Sequence, residues 1–116
     1  MEDGDFAQAE QLAFDALAAF EAGGDQWSNS VLCIEVLALL AIRRRQFDAA
    51  RAWLRRGLAA GEEIGFKYAI QTAYWQLGFV AALENNYGAA GIYWQKALGV
   101  GERMLGARGI IGFGRN

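Results

Sequence analysis

The chain has 116 residues, a length that fits one domain, and its 54% hydrophobic content is enough to fill a core. It has no histidine and a single cysteine, Cys33, which excludes an internal disulfide and the usual zinc-ligand sets and suits a reducing, cytoplasmic setting. The net charge of −2 hides an asymmetry: residues 1–42 carry eight acidic groups and no basic one, while residues 43–116 carry all eleven basic groups against five acidic ones.

No proline interrupts the chain, so nothing forces a break at a fixed φ, and the aromatic residues fall at helical spacing instead of alternating. The opening MEDGDF is acidic where a secretory signal would be basic. The longest apolar run, Val31 to Ile42, is broken by Glu35 and is too short to cross a membrane. Five helices are expected. The first spans residues 5 to 22, with Phe6, Leu12, Phe14, Leu17 and Phe20 spread over more than one face, and it ends at AGGDQ. A second, 27 to 44, has Asp25 or Ser28 as candidate caps and is closed by RQ. A third, 47 to 62, stops at EIG, and a fourth, 66 to 84, stops at NN. The fifth, 87 to 105, starts from Asn86 as a cap, and the glycine-rich GARGIIGFGRN follows it.

Three segments repeat across this plan. GDFAQAEQLAFDAL from Gly4, RQFDAARAWLRRGL from Arg45 and NNYGAAGIYWQKAL from Asn85 each place an aromatic three residues before an alanine. Phe6, Phe47 and Tyr87 follow one another at 41 and then 40 residues. Ala9, Ala50 and Ala90 match below them, then Ala13, Leu54 and Trp94, then Ala16, Gly57 and Ala97. Upstream, IEVLALLA from Ile34 matches YWQLGFVA from Tyr74. Alternating the smallest and largest side chains suits helices that cross closely at the small residues while the bulky ones fill the gaps beside them.

The order of residue sizes within a unit resembles the tetratricopeptide repeat. Tyr74, Leu77, Gly78, Ala81, Tyr87, Ala90, Trp94 and Ala97 fill its pattern nearly completely, and Ile34, Leu37, Ala38, Ala41, Phe47, Ala50, Leu54 and Gly57 fill it less strictly. The spacing of 40 to 41 exceeds the family's usual length of about 34 residues. It is closer to the long-helix variety of bacterial transcriptional-activator sensor arms and kinesin light chains. The resemblance implies an all-α, right-handed solenoid of antiparallel helix pairs over residues 1–105. It comprises a half unit at 4–24, full units at 27–64 and 66–105, and a tail at 106–116.

It further implies a module that binds protein without a cofactor. First helices of such units line a concave groove, which assigns Glu35, Leu39, Ile42 and Arg43 from one unit and Trp75, Gln76, Phe79 and Leu83 from the next to it. The places where carboxylate-clamping members use lysine and asparagine hold Glu35, Leu39, Trp75 and Phe79, which argues against a clamp. Leu39, Trp75 and Phe79 suit an apolar peptide or helix, unless Trp75 and Phe79 are core. A solenoid this short leaves uncapped ends. At the C-terminal end Gly91, Leu98 and Leu105 lie on a flank that a further unit would cover. Ile110, Ile111 and Phe113 could fold over that flank, the ends could meet in a homo-oligomer, or the chain could be part of a longer repeat protein.

Arg43, Arg44, Arg45, Arg51, Arg55 and Arg56 crowd the centre of the sequence with only Asp48 among them. They form either a docking patch for an acidic partner or for the acidic end of another copy, or a solvated face in which Asp48 pairs with Arg44 or Arg51. The negative net charge argues against nucleic acid. Catalysis is not expected. Cys33 has no evident base, the neighbours Glu62 and Glu63 diverge on a helix, and the glycine-rich GVGERMLG and GIIGFGRN lack the lysine and strand of a phosphate loop. No pocket is expected to gather two titratable side chains.

Overall fold

The structure, a computed structural model, describes residues 3–24 and 28–107, with side chains for 4–24 and 29–103. Its helices are α1 (Asp3–Ala22), α2 (Ser28–Arg43), α3 (Phe47–Ile64), α4 (Lys67–Leu83) and α5 (Tyr87–Ala107). All five expected helices are present, and each begins and ends within two residues of its expected bounds. No helix among the described residues is long and apolar enough to cross a membrane. The candidate cap Asp25 and the side chain of Ser28 lie outside the described set, as does the tail from residue 108.

The turns explain where the helices stop. Arg45, Gly65 and Asn85 follow at 20-residue intervals, and each adopts a left-handed φ, of 58°, 70° and 64°. After each of them the next amide reaches back five residues to close the helix: Gln46 to Ala41 at 2.8 Å, Phe66 to Gly61 at 2.8 Å and Asn86 to Ala81 at 2.8 Å. These are Schellman closures, which satisfy carbonyls that the end of a helix leaves orphaned. Glycine adopts that φ without a Cβ penalty and asparagine tolerates it, whereas arginine at Arg45 carries strain. At α5 the expected Asn86 cap is formed: its side-chain oxygen accepts the Ala89 amide at 3.3 Å.

Neighbouring helices run antiparallel. Gly57 lies against Ile34, Gly61 against Ala69 and Ile70, and Gly78 against Trp94, pairs that converge toward the connecting turns. Contacts pass from each helix to the next, with one addition, α2 against α4. The Cα radius of gyration is 15.6 Å, larger than the roughly 13 Å of a round 100-residue domain. The chain therefore forms a row of helices in place of a ball.

The core has two parts. Ala13 and Leu17 of α1 meet Ile34 and Leu37 of α2, with Trp53 packed against them. Ala38 and Ala41 of α2 meet Ala50 and Leu54 of α3 and Leu77 and Val80 of α4. The small residues let the helix axes approach. At Gly78 the approach is closest, since a Cβ there would sit 2.2 Å from Nε1 of Trp94. The indole fills that gap, and its N–H donates to the Trp75 carbonyl at 3.2 Å. One glycine and one tryptophan thus interlock α4 with α5, which accounts for the alternation in the sequence.

Candidate functional site

The 40-residue correspondence gives α2 and α4 matching outer stripes. On α2, Leu32, Val36 and Leu39 are exposed at helical spacing, followed by the exposed Arg43. On α4 the equivalents of the last two are Phe79, 54% exposed, and Leu83, also exposed. Because α2 and α4 touch, the two stripes belong to one side of the row. Single exposed leucines need no explanation, but repeated large apolar side chains on adjoining helices do.

The groove residues read from the sequence are not placed alike. Glu35 is half-buried at the seam between α2 and α4, where it shares a narrow cleft with Trp53, Ala69, Thr72 and Ala73. Leu39 and Arg43 are exposed, while Ile42 packs instead against the core cluster of α2, α3 and α4. Trp75 and Gln76 are half-buried. Trp75 and Phe79 are both drawn toward α5, where their rings lie 6.2 Å and 5.8 Å from that of Trp94. Leu32 and Val36 are absent from the groove residues read from the sequence, and Trp94 is read there only as a bulky position of the repeat. The two aliphatic residues had a signal, because Leu32, Val36 and Leu39 follow at four and then three residues and none falls on a core position of the repeat.

Burial raises the carboxyl of Glu35 above its ordinary value of 4.5. The folded state therefore holds this proton at pH values where the unfolded chain has lost it, so stability falls as pH rises through that window. Glu35→Gln is expected to stabilise the fold at neutral pH and to lose its advantage below about pH 4.5. Urea denaturation at a series of pH values checks this, and equal stabilities at all of them would contradict it.

The central arginines are partly spent inside the chain. Arg51 pairs with Glu84 across to α4 and with Asp48 on its own helix, one of the two pairings expected of Asp48. Arg56 reaches Glu21 of α1 at 2.6 Å and lies over Trp53. Arg44 covers Phe6 and Arg45 covers Phe47. Arg55 faces a cleft between α3 and α5, together with Arg51, Glu84 and Tyr93. The expectation that no pocket gathers two titratable groups is thus overturned: α3 and α5 flank α4 without closing over it, which leaves room for several charged side chains.

At the C-terminal end Leu98 is 56% exposed, whereas Leu58, its counterpart 40 residues earlier, packs against the core cluster. Leu58 is covered because α4 follows α3. Gly91 is half-buried. The Leu105 side chain and Ile110, Ile111 and Phe113 lie outside the described residues. No protein-family model, curated protein or solved structure matches the chain.

Proposed function

We propose that the chain is a tetratricopeptide-like protein-interaction module whose α2–α4 face receives an apolar helix or extended peptide. One observation carries this reading: Leu32, Val36, Leu39, Phe79 and Leu83 are exposed on two helices that touch, with Leu39 and Phe79 at equivalent places in the repeat. The row of antiparallel helices, the 20-residue turn spacing and the α2–α4 contact support a solenoid arrangement. An amphipathic helix offering residues at i, i+3, i+4 and i+7 would meet both stripes, with Phe79 as the aromatic anchor.

A second reading has its own support. The exposure of Leu98, where Leu58 is covered, favours self-association through the α4–α5 end, or a further repeat packed there. Selection from a displayed library of random peptides separates the two readings. The groove reading expects an apolar consensus whose binding is competed by any one selected peptide and lost in Leu39→Asp. Failure to enrich any peptide, together with a stable oligomer that Leu98→Asp dissociates, would favour the end.

A further inference from the structure

We propose that the cleft between α3 and α5, with the basic flank of α5 beside it, is a head-to-tail interface that takes the acidic outer face of α1 from a second copy of this chain. The inference is independent of the α2–α4 groove.

The chain contains two gaps of the same kind, and only one is filled. Between α1 and α3, Phe14 stacks edge-on against Trp53 at 5.5 Å and Glu21 pairs with Arg56 at 2.6 Å. One repeat later, between α3 and α5, Arg55 stands where Phe14 stood, Tyr93 where Trp53 stood and Lys96 where Arg56 stood. Glu62 occupies the place of Glu21, yet among the described residues no ion pair joins it to Lys96. An arginine cannot fill the gap as a phenylalanine does, so the gap stays open above Leu77 and Ala81. Beside this cleft Lys96 lies over the faces of Tyr74 and Tyr93, and with Ile92 and Arg103 it lines a second, adjoining cleft between α4 and α5.

Taken together, the charges of the two adjoining clefts do not balance. Glu84 is held by Arg51, and no carboxylate among the described residues pairs with Arg55, Lys96 or Arg103. The matching surplus is in the first 42 residues, which hold eight acidic groups and no basic one. Only Glu21 of that segment forms an ion pair among the described residues. On α1, Asp5, Leu12 and Asp15 are exposed at seven- and three-residue intervals, which places them on one face with the leucine between the two carboxylates. That face offers this surface two anions and one apolar side chain, and Ile92, exposed beside Lys96 in the adjoining cleft, offers the leucine a partner. Since α1 and the α3–α5 cleft are different surfaces, the contact is heterologous and propagates into rings or open chains.

Light scattering on the full chain tests this. Wild type is expected to grow beyond its 12.7 kDa monomer mass with concentration at about 10 mM salt and to return to it near 1 M, as the screening length falls from about 30 Å to about 3 Å. Asp5→Lys with Asp15→Lys in one variant, and Lys96→Glu with Arg103→Glu in another, should each be monomeric at low salt. These positions are exposed, and circular dichroism verifies that both variants stay folded. An equimolar mixture of the two should associate again, because each reversed face then meets a reversed partner. A monomeric wild type at low salt would overturn the proposal. So would an oligomer that survives both reversals and is dissociated only by Leu98→Asp.

Discussion

Leu37→Ala is expected to cost about 4 kcal/mol of folding stability, toward the upper end of the 2–5 kcal/mol range for truncating a buried leucine. Leu37 is 2% exposed and sits where α1 meets α2, packed with Ala13, Leu17 and Ile34 under Trp53. Three helices converge there, and none can move in to fill the space without breaking another contact. Its repeat counterpart Leu77 is buried to the same degree but also lines the open α3–α5 cleft. A hole at Leu77 would open to water on one side, so Leu77→Ala should cost less than Leu37→Ala. Urea denaturation of both variants measures the difference, and the reverse order would contradict this picture of the core.

Gly78→Ala should destabilise by about 2 kcal/mol, although alanine is the better helix former by about 1 kcal/mol. The added methyl would meet the Trp94 indole at 2.2 to 2.8 Å, so the ring has to leave. Its departure gives up the hydrogen bond to the Trp75 carbonyl and the packing against the rings of Trp75 and Phe79. The sign should reverse when the ring is absent: in a Trp94→Ala background, Gly78→Ala is expected to be neutral or stabilising. A double-mutant cycle by thermal or urea unfolding checks this coupling, and additive effects would mean that Gly78 is not there to admit the indole.

Much of the helical layout could be read from the sequence because its determinants are local. AGGDQ, EIG and NN mark three chain reversals by residue type, and Gly65 and Asn85 take the left-handed φ that such residues permit. The RQ break is expected too, but nothing in its composition announces a left-handed arginine. The size alternation around Trp94 was also legible, since a repeat keeps its close approaches at fixed spacing. What could not be read depends on how helices sit across one another. That Trp75 and Phe79 lean onto Trp94 of α5, and that Ile42 turns into the core, follow from crossing geometry that a one-residue change of register would alter. The α3–α5 cleft was missed for the same reason: Arg55 looked like one more surface charge until Phe14 was seen filling the equivalent gap.

The measurement that bears most directly on the groove is the affinity of a selected apolar peptide for three proteins, followed through tryptophan fluorescence or calorimetry. Phe79→Asp is expected to weaken binding at least tenfold, about 1.4 kcal/mol, relative to wild type, while Leu98→Asp leaves it unchanged. Loss of binding in Leu98→Asp with full affinity retained in Phe79→Asp would contradict the account and move recognition from the α2–α4 face to the end of the row.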